Sequence, residues 1–170
     1  MQKGMYVDEK EFLSWTESMA EYAARLYLYR KQYIDDLSVF AGEIMREISD
    51  GKEVLSVGYL SGISSESDDR EAVRAAYIDR LTSDTEREKA AGVSLYGVHR
   101  DDLSLLINGK SARSFGSQGQ QRSAVLALKL AEGEVSKKRN GEYPVFLFDD
   151  VLWTVPGAPT CFPARRKNRF

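Results

Sequence analysis

The 170-residue sequence is poor in the residues that build covalent or metal-based frameworks: it has one cysteine, one histidine, four prolines and two tryptophans. The lone thiol, Cys161, excludes an internal disulfide framework and suits a reducing cytosol. His99 has no second histidine or cysteine near it in the sequence, so it has no partner for a metal site. No apolar run approaches the roughly 20 residues of a membrane span. The start, Met1-Gln-Lys-Gly-Met5, leads into acidic, polar sequence rather than the apolar stretch of a signal peptide. These absences lead to the expectation of a cytoplasmic protein with no membrane contact. Neither charge dominates: 24 basic against 26 acidic residues give a formal net charge of -2, so any nucleic-acid contact must come from a local patch. What is present is 42% hydrophobic residues, enough for the core of one domain with an appended arm.

From about residue 9 to Ser49 the positions Phe12, Trp15, Met19, Ala23, Leu26, Tyr33, Leu37, Phe40, Ile44 and Ile48 recur three, four or seven apart. That spacing predicts one long amphipathic helix with this apolar stripe, stopped at Ser49-Asp50-Gly51. Charged residues such as Glu21, Arg25, Lys31 and Glu43 fill other positions, the solvated face of a helical arm. Glu53 to Leu60 alternates and reads as a strand, Ser61 to Asp69 as a loop, and Arg70 to Ala91 as a helix ended by Gly92. Val93 to Gly97 and Leu103 to Ile107 read as short strands, with Asn108-Gly109 as a hairpin turn. Gln118 to about Lys138 is a helix closed by Asn140-Gly141, and Pro144 opens a strand, Val145 to Phe148, whose unbroken apolarity predicts burial on both faces. Strand, helix and strand in this order imply an α/β core.

Two segments invite a nucleotide reading, and one fails. Gly109-Lys110-Ser111 ends like a P-loop, but Ser104 stands where the first glycine is needed, and the segment before it reads as a strand entering a hairpin. Ser117-Gln118-Gly119-Gln120 is more specific. It opens a helix, where unpaired N–H groups and the helix dipole favour a phosphate, and Gly116 and Gly119 let backbone approach a ligand. Taken alone, such a helix start is a plain cap. About 30 residues on, Phe146-Leu-Phe-Asp149-Asp150 has the form of a Walker B strand, whose carboxylates can direct Mg²⁺ and orient an attacking water. His99, between Gly97 and Asp102, has Arg100, Asp101 and Asp102 as candidate partners, which suits a structural or partner-contacting role rather than a catalytic one.

With these residues in view the chain resembles the RecF family of bacterial DNA repair proteins. The resemblance runs from about residue 12 to Val151, through Tyr33-Ile34, Tyr77 with Leu81, Gly97-x-His-Arg-Asp-Asp-Leu103, Ile107-Asn-Gly109, Phe115-Gly-Ser-Gln-Gly-Gln-Gln-Arg122, Leu126-Ala-Leu-Lys-Leu-Ala-Glu132 and Leu147-Phe-Asp-Asp-Val151. The family has proline where Val98 stands. The resemblance implies an α/β fold: a partial ABC-type ATPase head of the Rossmann-like P-loop class, related to SMC and Rad50 heads, with a long helical arm. It implies residues 1–91 as the arm, with a short strand near 53–60, and 92–152 as the C-terminal part of the head. It further implies ATP and Mg²⁺ as cofactors and ATP-dependent homodimerisation on DNA at gaps and stalled forks. The partners implied are RecO and RecR, helping to load RecA in DNA damage repair and the SOS response. On this resemblance Ser117, Gln118, Gly119 and Gln120 are the signature motif that contacts a γ-phosphate held by the partner subunit. Asp149 directs the metal, and Asp150 stands in the catalytic position.

The chain departs from the family in two places. The lobe carrying the Walker A loop is missing from the sequence, so the chain alone is expected to be inactive and to expose a sheet edge. After Val151-Leu152 the family continues Ser-Glu-Leu-Asp, whereas this chain reads Trp153-Thr-Val-Pro-Gly-Ala-Pro159. Codons for Leu-Asp-Gly-Ala-Arg-Arg-Thr, chosen as CTG GAC GGT GCC CGG CGC ACC and read one base later, give that heptapeptide. Residues 153–170, with the basic run Arg165 to Arg169, are therefore expected to be an out-of-frame tail. Two other readings stay open: a DNA- or partner-binding module without ATPase activity, and an inactive product of a damaged gene.

Overall fold

The computed structural model describes residues 8–65 and 67–147. The elements are α1 (Glu9–Ile48), β1 (Leu55–Leu60), α2 (Arg70–Ser83), α3 (Thr85–Ala91), β2 (Asp102–Ile107), β3 (Lys110–Ser111), α4 (Ala112–Phe115) and α5 (Gln118–Asn140). They group into two compact units. The described residues up to Gln32 form one with Tyr59–Leu103; Tyr33–Gly58 form the other with the described residues from Ser104 on.

The first unit is built on the first half of α1. Its buried positions are Thr16, Ala20, Ala23 and Ala24, and the alanines form one core with Val73 and Tyr77 of α2, lined by Tyr27, Leu28, Ile63, Ile78 and Val98. This shifts part of the expected stripe. Ala23 is buried as expected, but Trp15, Met19 and Leu26 are exposed, Trp15 at 68%, and Thr16, Ala20 and Ala24 are buried in their place. Spacing fixes which residues share a face. It does not decide which face meets α2, and small side chains let two helix backbones approach most closely. In the second half the stripe holds at Leu37 and Ile48, joined by Ile34, Ala41 and Met45. The helix stops where expected: Asp50 and Gly51 take φ of 51° and 76°, and the Gly51 N–H donates to Arg46 O at 2.8 Å.

The single helix expected over 70–91 is two. The Asp69 carboxylate caps α2 by accepting from the Glu71 and Ala72 N–H groups, and the run breaks at Asp84, whose φ and ψ of -108° and 15° leave the helical well. Residues 93–97 are not a strand. The Glu88 carboxylate accepts the Leu95 and Tyr96 N–H groups at 2.6 and 3.2 Å, so these donors are satisfied by a side chain instead of a neighbouring strand.

Most of the sheet, in the order β1-β2-β3, belongs to the second unit. Asn108 and Gly109, at φ of 50° and 76°, turn β2 into β3, which pair antiparallel with Ile107 opposite Lys110. Asn108 also sets the register of β1: its N–H donates to Val54 O and its Oδ1 accepts from Val54 N, both at 2.9 Å. The outer edge of β1 is covered by α1. There the Val57 N–H donates to Ser38 Oγ at 3.0 Å, and a Cβ at Gly42 would lie 3.1 Å from Leu55 O. The opposite edge, β3, is two residues long, too short to template much pairing.

α5 buries Ala124, Leu126, Ala127, Ala131, Gly133 and Val135, and Gly141, at φ 81°, ends it. The strand expected from Val145 is not formed over 145–147: Val145 and Leu147 are 90% and 94% exposed. A strand buried on both faces needs paired neighbours, and none of β1 to β3 pairs with this segment. Phe146 instead lays its ring on Gly133, where a Cβ would sit 2.5 Å from the ring. Among the described residues no helix is long and apolar enough to cross a membrane.

Candidate phosphate-facing helix start

The segment from Lys110 to Gln121 is set by consecutive caps. Gly109-Lys110-Ser111 is the hairpin and β3, not a phosphate loop, and Ser111 Oγ caps α4 by accepting from Ser114 N at 3.3 Å. At Gly116 the chain turns extended, and the position must be glycine because a Cβ there would meet Ala112 O at 2.5 Å. Ser117 then caps α5 with a reciprocal pair: its Oγ accepts from Gln120 N at 3.2 Å, and Gln120 Oε1 accepts from Ser117 N at 2.9 Å. Gln121, which the sequence did not single out, fixes the junction by donating its Nε2 to Ala112 O and Gly116 O, both at 3.1 Å. Its signal was its place within the octapeptide Phe115 to Arg122; its two acceptors come from the preceding short helix and its cap and so follow only from the fold.

The two glycines differ. Gly116 is required by packing, whereas the nearest atom to a Cβ at Gly119 would be Ser117 Oγ at 4.0 Å, so Gly119 faces open space. Ser117, Gln118 and Gly119 are exposed and Gln120 is half-buried. Two of the first donors of α5 have partners, Gln120 N on Ser117 Oγ and Gln121 N on Ser117 O. The Gln118 and Gly119 N–H groups come first in the helix, and its first turn holds no acidic residue. This end can accept an anion such as a phosphate oxygen without a carboxylate competing for it. The capping box already engages Ser117 Oγ and Gln120 Oε1, leaving Gln120 Nε2 and the Gln118 amide as side-chain donors outside that box. Asp149 and Asp150 lie outside the described residues.

In the first unit Asp101 is the buried charge, with its side chain 2% exposed. It accepts from Tyr59 Oη, Ser61 Oγ and Gly62 N and lies 3.8 Å from the Arg30 guanidinium. Asp101 therefore serves the core instead of His99. Arg100 donates to Ser94 O and Asp102 accepts from Leu103 N, and the exposed His99 ring lies against Gly97. No group of three or more metal-ligating side chains occurs among the described residues. Burial, and then the hydrogen bond to Asp101, pushes the Tyr59 hydroxyl well above its usual range. Burial and the Asp101 charge push Tyr77 up to about 12, although Ser61 nearby eases the shift.

No family model matches the chain. The DNA replication and repair protein RecF of Staphylococcus aureus is 41% identical over 155 residues, covering 88% of this chain and 42% of that protein. The same protein of Listeria monocytogenes is 42% identical over 137 residues, covering 81% and 37%. A solved structure of the recombination mediator protein RecF with ATP in the RecFOR pathway superposes with a TM-score of 0.81 at 35% identity, over 89% of this chain and 40% of that one. A second, with an ATP analogue, gives 0.80 over 88% and 40%. The helices, small sheet and capped helix start are thus those of part of an α/β ABC-type ATPase head with a long helical arm. The chain belongs to the RecF family, as a C-terminal part spanning about two fifths of the length of the relatives it matches.

Proposed function

We propose that this chain is part of a RecF-type DNA replication and repair protein, with residues 1–91 as its helical arm, 92–152 as the signature-bearing part of the head and 153–170 as an out-of-frame tail. In that assembly the Ser117–Gln120 helix start faces the γ-phosphate of ATP held by a partner subunit. The Gln118 and Gly119 N–H groups and the Gln120 amide supply donors for it. The observation that carries this reading is the unobstructed Gly119 beside a rigid capping box. A cap that served only the helix would not need a glycine facing open space, which lowers helix propensity. Asp149 is proposed to direct Mg²⁺ and Asp150 to stand in the catalytic position. The whole assembly would bind DNA, dimerise with ATP and act with RecO and RecR on RecA loading. Two solved relatives held with ATP or its analogue support the nucleotide, and their place in the RecFOR pathway supports the partners.

The residues present fit one side of a nucleotide, not a whole cradle: the sequence has no Gly-x4-Gly-Lys-Ser/Thr loop. Titration of the isolated chain with a fluorescent ATP analogue is therefore expected to give no saturation at micromolar nucleotide. Clear saturable binding would overturn the proposal that the site is completed in trans. Salt-sensitive DNA binding that is indifferent to ATP would instead favour a DNA-binding module.

A further inference from the structure

Asp101 is a buried charge whose partners come from three separate stretches of the chain. Both carboxylate oxygens are occupied: Oδ1 accepts from Ser61 Oγ at 2.9 Å and from Gly62 N at 3.4 Å, while Oδ2 accepts from Tyr59 Oη and faces the Arg30 guanidinium at 3.8 Å. Arg30 also donates to Val98 O. Taking a carboxylate this far out of water is costly, and an apolar side chain of similar volume would serve a core about as well. What such a group supplies is geometry. Its donors must converge on one point, and losing one of them leaves a buried charge underpaired.

The place of these partners along the chain gives that geometry a use. The chain passes between the two compact units three times: after Gln32 within α1, before Tyr59 within β1 and after Leu103 within β2. Arg30 lies two residues before the first passage, Tyr59 stands at the second, and Asp101 lies two residues before the third. β1 and β2 are neighbours in the sheet, and Arg30 supplies the tie from α1. The Tyr59 ring also packs 5.4 Å from that of Tyr27 on α1, and Tyr27 meets the core residue Tyr77 edge-on at 6.4 Å. We propose that the Asp101 carboxylate is a pin that joins the three passages inside the first unit, so that α1, β1 and β2 leave that unit as one rigid group and loosen together or not at all. Each passage runs inside a helix or strand instead of a loop, so a displacement at one is carried to the pin and from there to the other two. Neither nucleotide nor DNA enters this arrangement.

Hydrogen exchange of the full chain, read by mass spectrometry, distinguishes a pin from an ordinary core residue. Tyr59→Phe keeps the ring against Tyr27 and removes one hydroxyl on β1. It is expected to speed exchange about tenfold at 59–62 and also at 28–34 of α1 and 101–104 of β2, while Val73 to Leu81 of α2 keep their protection. Arg30→Met, on α1, should loosen the same three stretches, and combining it with Tyr59→Phe should add little to either alone. Asp101→Asn, which removes the charge itself, should reproduce the pattern in one step. Faster exchange confined to the stretch that carries the substitution would overturn the proposal. Equal loosening of α2, the mark of a residue that serves only the core, would overturn it too, as would unchanged exchange in all three single variants.

Discussion

At the residue scale the two glycines of the octapeptide separate structure from chemistry. A Cβ at Gly116 meets a backbone oxygen that cannot move away, so Gly116→Ala is expected to cost about 1–3 kcal/mol, seen as a lower thermal midpoint. Gly119→Ala should leave that midpoint unchanged or raise it, because its Cβ enters open space inside a helix. If Gly119→Ala unfolds the chain, the glycine has a packing role and the phosphate reading loses its main support. Tyr77 makes a second case. Its hydroxyl is buried with no hydrogen-bond partner among the described residues, in a side chain 1% exposed, so Tyr77→Phe should be neutral or stabilising at pH 7. The raised folded value sets the sign of the pH effect. Tyr77 favours the fold fully below the ordinary tyrosine value of about 10, and this contribution is lost as pH rises toward its folded value of about 12. Chemical denaturation at intervals above pH 10 should therefore fall less steeply for Tyr77→Phe than for the wild type.

At the element scale, helix ends and loops are held by single side chains. Ser117→Ala removes one half of the capping box and is expected to cost about 1 kcal/mol, measured by urea unfolding. Glu88 is the corresponding support for residues 93–97, where it replaces a strand partner. Glu88→Ala should release the Leu95 and Tyr96 amides to fast hydrogen exchange while α2 stays protected; unchanged protection would show that the loop holds itself. The sequence marked all three helix-ending signals, Asp50-Gly51, Gly92 and Gly141, because positive φ is written locally in residue type. It did not mark the break at Asp84, since nothing in the local pattern forbids a helix from continuing there.

At the scale of the whole molecule, charge pairs distant in sequence tie α5 to α1 within the second unit. Asp36 accepts from Lys138 Nζ at 2.6 Å and Arg139 Nη2 at 3.5 Å, and the Arg139 guanidinium lies over Tyr33. The Lys138 hydrogen bond holds the Asp36 carboxyl below its ordinary value. A depressed folded value stabilises the fold above the usual carboxylate value of about 3.9, and this is lost as pH falls through the lower folded one. Asp36→Asn should thus flatten the acid limb of stability below about pH 4. An acid limb identical to that of the wild type would show that the pair is solvated away.

The sequence alone determined the long helix, the Asn108-Gly109 hairpin, the Ser117 cap and the resemblance that proved to be the family. Each is written in neighbouring residues: a repeat of three and four, a pair tolerant of positive φ, a hydroxyl before a helix. Only the tertiary structure decided which face of α1 is buried, how the β1 edge is closed, and that Asp101 belongs to the core. Those outcomes depend on which surfaces meet, and two faces of one helix can look equally apolar until one of them finds small side chains on which to pack. The exposed apolar run at 145–147 makes the same point, since its composition fits a central strand and only neighbours could have made it one.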